Sequence, residues 1–258
     1  MMGLGESCLF AFSWPRQDGE DVRRKRDGHP PTLKDGRTVT WCLEALPLLA
    51  PRVGIPLVIL VDPARFDVEM MLTGGELRCP DCAGVLRPWG HARERVIRQL
   101  RGVLARIRPR RSSCRACRRT HVLLPVSVLP RRGNCAETIG AALTAKACGV
   151  GFRPIAASLG VPEATVLGAP PKRGDGGGWL RRFNTNARRW RVFFTRLAVD
   201  LDPEPEPISA HESVFADAVE VIGVAAAAAV RRFGPRPAWQ FVAAATAGQF
   251  LSPHPSLG

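Results

Sequence analysis

A chain of 258 residues, 45% hydrophobic and 23% charged, is long enough for one large or two small globular domains, and wholesale disorder is excluded. Its longest apolar runs, residues 55–61 and 221–230, fall well short of the roughly 20 residues needed to cross a bilayer, which excludes an integral membrane helix. The formal charge is +14, but the chain has no tyrosine and its only lysines are Lys25, Lys34, Lys146 and Lys172; so arginine-heavy a composition follows from GC-rich coding, and the distribution of charge is more informative than its sum.

Residues 1–55 lack sustained periodicity and are broken by Pro15, Pro30, Pro31, Pro47 and Pro51, so a poorly ordered N-terminal extension is expected. An apolar patch between Leu9 and Trp14 is followed, not preceded, by the basic cluster Arg23, Arg24, Lys25 and Arg26 and lacks a small-residue cleavage site. The expectation is a cytoplasmic protein with reduced cysteines, nucleoid-associated if it binds DNA. The organised part begins at the apolar run 55–61, which has strand length and ends at Asp62-Pro63. Asp62 and Asp67 read as a turn cap and a surface charge.

A domain over residues 56–132 is defined by Cys79-Pro80-Asp81-Cys82 and Cys114-Arg115-Ala116-Cys117, two C-x2-C pairs separated by 31 residues. Each pair can turn two thiolates toward one ion, and two such knuckles complete the tetrahedral sulfur site that zinc favours. Structural Zn2+ held by Cys79, Cys82, Cys114 and Cys117 is therefore expected, although iron would accept the same ligands. Such a site is closed, and metal binding would help fold a small domain with a thin core. Arg106, Arg108 and Arg110, interleaved with Ile107, Pro109 and Arg111, read as a strand entering the second knuckle, and residues 120–124 as the strand leaving it. Val96, Leu100, Val103, Leu104 and Ile107 also fit a helical stripe; Gly102 opposes it, and strands are preferred. His121 is an alternative ligand, but a lone histidine beside strand residues reads first as a surface or half-buried side chain. Cys8, Cys42, Cys135 and Cys148 lack metal-binding spacing and read as ordinary small apolar residues.

A second domain, 133–202, turns helical at Ala136, where Ile139, Leu143 and Ala147 form a stripe ended by Gly149 and Gly151. The following segment, Arg153 to Val166, has the pattern of a helix-turn-helix: Ile155, Leu159, Val161 and Val166 supply a small core, Ala156 permits close helix approach, and Gly160 suits the turn. The second helix, expected to last about two turns, would present Glu163, Ala164, Thr165 and Leu167 to DNA, a set without Arg, Asn or Gln and therefore a weak sequence reader. An inserted loop, 167–178, separates it from a long helix whose face Trp179, Phe183, Trp190, Phe194 and Leu197 reads as core. The opposite side of that helix carries Arg181, Arg182, Arg188, Arg189, Arg191 and Arg196. A Pro/acidic stretch, 203–211, reads as a stiff extended linker, and residues 212–258 as a C-terminal helix with a loose Pro/Gly-rich tail. The fold class is thus α+β: a small β zinc ribbon, then a mainly helical helix-turn-helix region and a C-terminal helix.

The charge is segregated along this plan. Residues 78–132 carry fifteen arginines against Asp81 and Glu94, and 172–196 carry eight bases against Asp175, whereas 200–220 hold seven acids and no lysine or arginine. Coding bias scatters arginine; clustering favours an electrostatic footprint for nucleic acid. The candidate DNA contacts are Arg106, Arg108, Arg110, Arg111, Arg118, Arg119, Arg153, Glu163, Thr165, Arg181, Arg182, Arg188 and Arg189.

The stretch from CPDC through WGHARERVIR to CRACRRTHVLLP resembles the zinc ribbon at the start of bacterial insertion-sequence transposases, and IGAALTAKACGVGFRPIAASLGVPEATV followed by WLRRF resembles their helix-turn-helix. Together, residues 57–250 resemble an uncharacterised bacterial family of unknown function that joins these two modules. The resemblance implies the four cysteines as ligands and a role around mobile DNA, with no established activity. In that pattern Val is followed after two residues by WL, whereas here LGAPPKRGDGGG intervenes between Val166 and Trp179.

No carboxylate triad on a recombinase-like sheet, no phosphate-binding glycine loop and no nucleophile–base pair stands out, so a non-enzyme is expected. The leading expectation is a zinc-dependent protein that binds double-stranded DNA for a mobile element, as a regulator or as the recognition partner of a separately encoded transposase or recombinase. A homodimer through the C-terminal helix would fit that role. The alternative is a zinc-ribbon protein-interaction adaptor that does not touch nucleic acid; a third option is RNA binding through the ribbon.

Overall fold

The computed structural model describes residues 58–63, 67–168, 177–205 and 207–252. The extension 1–55 and the middle of the inserted loop, 169–176, lie outside them. The chain is α+β, with a small sheet first and helices after it. Its elements are β1 (Val58–Val61), α1 (Val68–Gly74), β2 (Leu86–His91), β3 (Arg95–Arg98), β4 (Leu104–Ile107), β5 (Arg110–Cys114), β6 (Thr120–Pro125), α2 (Ala136–Ala147), α3 (Phe152–Leu159), α4 (Glu163–Val166), α5 (Trp179–Leu201), α6 (Val214–Phe233) and α7 (Ala238–Ala245).

The main sheet has strand order β1-β6-β5-β2. Antiparallel β5 and β6 are joined through the second cysteine pair, and β1 adds to β6 in parallel with Val58 opposite Val122. Asp67 caps α1, its carboxylate accepting the Glu69 and Met70 N–H groups. β3 and β4 form a separate antiparallel hairpin, with Val96 opposite Arg106 and Arg98 opposite Leu104. Strands prevail over the competing helical stripe because Arg101 and Gly102, at φ 60° and 74°, reverse the chain between them. The inner side of the hairpin buries Ile97, with Ile107, against Val128 and Cys135.

Cys135 does more than fill space: its Sγ accepts the Thr138 N–H at 3.4 Å and caps α2. The helical pair α3 and α4 turns at Gly160, φ 61°, with Ile155, Ala156, Val161 and Val166 buried and Leu159 half-buried. Where two turns were expected, α4 has one, four residues long. It stops at a neck where the backbones of Gly168 and Gly178 meet so closely that a Cβ on Gly168 would lie 2.3 Å from the Gly178 nitrogen.

α5 buries Trp179, Phe183, Trp190, Phe194 and Leu197, the stripe read from the sequence. Near its start Phe183 meets Phe215 edge-on at 5.0 Å, and near its end Asp202 pairs with Arg231 at 2.7 Å. Beginning therefore meets beginning and end meets end, so α5 and α6 run parallel. The connection between them must return the length of a helix, about 30 Å at 1.5 Å per residue. Twelve extended residues reach that far, and Ser209 and His211 fasten the returning strand by donating their N–H groups to Glu220 and Asp217 of α6.

As far as Ser252 the tail is packed and not loose; residues 253–258 lie outside the described residues. Trp239, Phe241, Phe250 and Leu251 are buried, and the Trp190 indole donates to the Phe250 carbonyl at 3.1 Å. Gly140 of α2 makes room, since a Cβ there would lie 2.0 Å from the Trp239 ring. No helix among the described residues is long and apolar enough to cross a membrane.

Candidate metal centre and nucleic-acid surface

The four sulfurs of Cys79, Cys82, Cys114 and Cys117 lie within 4.8 Å of one another. Cys79 and Cys117 are 3.6 Å apart, Cys82 and Cys114 3.4 Å. A tetrahedral ion bound to sulfur at about 2.3 Å spaces its ligands by about 3.8 Å, so the donor set fits one thiophilic ion.

Both pairs are built by the same local turn. The Ala83 N–H donates to the Cys79 carbonyl, and the Arg118 N–H to the Cys114 carbonyl. Cys79 and Cys114 in turn donate their N–H groups to Gly84 and Arg119. The residue after each second cysteine is left-handed, Ala83 at φ 57° and Arg118 at φ 59°. These turns aim peptide N–H groups at sulfur. The Cys117 N–H leads in holding the Cys114 thiol down at about 7. Burial pushes the Cys79 thiol up to about 12 against the N–H groups of Asp81 and Cys82. At Cys82 the Gly84 N–H pulls down, yet the neighbouring Cys114 and Cys117 thiols leave it raised. Four sulfurs so close repel as thiolates, and a divalent cation relieves that repulsion. Gly84 passes beside the cluster, where a Cβ would lie 3.0 Å from the Cys114 sulfur.

His121 is neither at the surface nor half-buried. It is fully buried with Nε2 3.4 Å from the Cys79 sulfur and 4.0 Å from the Asp81 carboxylate. Alternation along β6 aims it, Leu123 and the sheet interior the same way. Cys79, Asp81 and His121 therefore form a second possible donor group that shares Cys79 with the first.

The candidate DNA contacts divide by their partners. Arg110 is half-buried and donates to Glu69 at 3.0 Å, Arg106 pairs with Glu94 at 3.0 Å, and Arg119 with Asp81 at 3.4 Å. Arg111 reaches Thr120, Arg153 pairs with Glu163 at 3.7 Å, and Arg182 donates to the Gly177 carbonyl at the loop neck. Thr165 is half-buried. Arg108, Arg118, Arg181, Arg188 and Arg189 are exposed and have no acidic partner among the described residues. Sequence reading missed His121 as a buried neighbour, the exposed Trp89 on edge strand β2, and the hairpin tip around Arg101. Alternation in RVIR and LARI around an Arg-Gly turn was the available signal for the last.

The β3–β4 hairpin is physically joined to α2 and to the turn between α3 and α4. The Cys135 N–H donates to the Arg98 carbonyl, and the Arg98 guanidinium to the Gly160 carbonyl at 2.6 Å. Arginine surface on the sheet and the turn between α3 and α4 thus share one side chain.

No curated protein and no solved structure matches the chain. Residues 79–153, from the first cysteine of the cluster into the start of α3, match a family described as a domain of unknown function, DUF6431.

Proposed function

We propose that the protein is a zinc-dependent binder of double-stranded DNA that serves a bacterial mobile element, as a regulator or as the recognition partner of a separately encoded transposase. The observation that carries this reading is the convergence of four cysteine sulfurs beneath a surface where exposed arginines outnumber acids. Zinc, when bound, ties the two cysteine turns into a ribbon and screens the charge of their thiolates. Arg108, Arg118, Arg181, Arg188 and Arg189 have charge to spare for phosphates, whereas Arg106, Arg110, Arg119 and Arg153 first neutralise acids of the same chain. The single turn α4 offers one acid and no bidentate reader, so affinity rests on phosphates and shape more than on base edges.

The test is duplex binding by the zinc-loaded chain across a salt series, with metal content measured alongside. About one mole of zinc per chain, and affinity falling steeply with salt, support the reading; five phosphate contacts imply a log–log slope near −4.5 at about −0.9 per contact. A metal-free chain with an intact sheet, or no duplex binding at low salt, sinks it. Salt-insensitive capture of a protein would favour the adaptor reading, for which the exposed Val192, Val199 and Ile208 beside α5 are the specific observation. The identity of neighbouring genes tests the mobile-element half.

A further inference from the structure

We propose that the β3–β4 hairpin is a second DNA-engaging element, whose tip enters the minor groove beside the helix-turn-helix and wedges the duplex. This rests on the duplex-binding reading. The tip is Leu100, Arg101, Gly102 and Val103, closed by the Gln99 N–H donating to the Val103 carbonyl at 2.7 Å. Leu100 is 42% exposed, Val103 56% and the adjoining Leu104 61%. Val96, on the same outer face as Leu104, is 49% exposed. Four neighbouring apolar side chains in water on one small hairpin mark a contact surface, whereas single exposed ones need no explanation.

Charge identifies the occupant. The hairpin and its flanks present Arg93, Arg101, Arg106 and Arg108, and the single acid among them, Glu94, is paired with Arg106. An apolar tip ringed by guanidinium groups matches the chemistry of minor-groove binders: arginine enters a narrow, strongly negative groove while an aliphatic side chain slips between base steps. Arg101 stands at the turn itself and holds φ 60°, a conformation that glycine adopts freely.

The hairpin is braced for insertion. Ile97 and Ile107 anchor its inner face, and the Arg98 guanidinium bonds the Gly160 carbonyl at the turn between α3 and α4. A two-stranded ribbon docked this way would bend DNA, a result that phosphate contacts by α5 alone do not require.

The experiment uses the zinc-loaded full chain and a duplex of about 30 base pairs, labelled at both ends and carrying a central TA step. Expected are an end-to-end shortening on binding and competition by netropsin, which fills the minor groove. Leu100→Ser/Val103→Ser should abolish the shortening and weaken binding about tenfold. Arg101→Gly relieves the backbone, so its fold is secure, and should weaken binding about fivefold and flatten the salt slope by about one contact. Wild-type affinity and shortening in both variants, or indifference to netropsin, overturn the hairpin's role while leaving duplex binding standing. A wild-type chain that ignores duplexes, or prefers anionic vesicles, overturns both readings together.

Discussion

The sheet half and the helical half of this protein hold together by different means. In the helices, Phe183, Trp190, Phe194 and Phe250 are fully buried, and runs of alanine let α5, α6 and α7 approach closely. Among its described residues the sheet half buries aliphatic side chains, sulfur, Ser112 and His121 but no phenylalanine or tryptophan; β2 hides Leu86 alone and leaves Trp89 in solvent. A half whose surface is given over to arginine has little sequence left for a core, and the cysteine cluster fills that gap. The lesson is that the dense arginine charge and the cysteine cluster belong to the same half.

The largest effect that would sharpen this contrast is loss of the proposed zinc. Binding free energies for structural zinc run to about 10 kcal/mol or more, as large as the whole stability of a typical domain. Cys114→Ser, or chelation of the wild type, should strip hydrogen-exchange protection from β2, β5 and β6 while α5, α6 and α7 keep theirs. Equal loss in both halves would show one cooperative unit and break the comparison.

Next in size is Trp190→Ala, which empties a fully buried site and orphans the Phe250 carbonyl. It should cost about 3–5 kcal/mol in denaturant unfolding monitored at the helices, with zinc stoichiometry unchanged.

Glu137 gives a smaller, pH-dependent effect. Burial raises its carboxyl from 4.5 to about 7, although the Gln240 N–H donated to it pulls the other way. Between those values the folded chain keeps a proton that the unfolded chain has released. Stability is thus full below pH 4.5 and falls as pH rises through about 7, by up to about 3 kcal/mol. Glu137→Gln, which still offers an acceptor to Gln240, should flatten this slope in a pH series of melting curves and raise stability at pH 8.

The smallest effect belongs to the pair Arg153–Glu163, whose side chains are both well exposed. Arg153→Ala should change stability by less than about 0.5 kcal/mol, so any marked loss of duplex affinity in that variant reports a contact and not a fold.

Local chemistry made much of this legible. Two C-x2-C pairs announced their own convergence, and the period of the aromatic residues in α5 announced a buried face. What escaped was set by distant partners. β1 finds its place beside β6 across some sixty residues, and no local pattern encodes that parallel pairing. α7 is eight residues between Pro237 and Gly248, so its Pro/Gly flanks masked a segment whose Trp239 completes the core only because Gly140 stands opposite. His121 is an ordinary strand residue until the fold brings Cys79 to its ring. Arg110 and Glu69 likewise meet from elements far apart in the chain, which gives one arginine of the expected contact set an acid partner within the chain.

The touching backbones of Gly168 and Gly178 turn the interruption between α4 and α5 into a side branch. Chain that leaves and re-enters at a single point asks nothing of the helices on either side. Its length can drift, or a foreign domain can be spliced into it, without prying the two helices apart. That junction is the natural place to graft a reporter onto this scaffold.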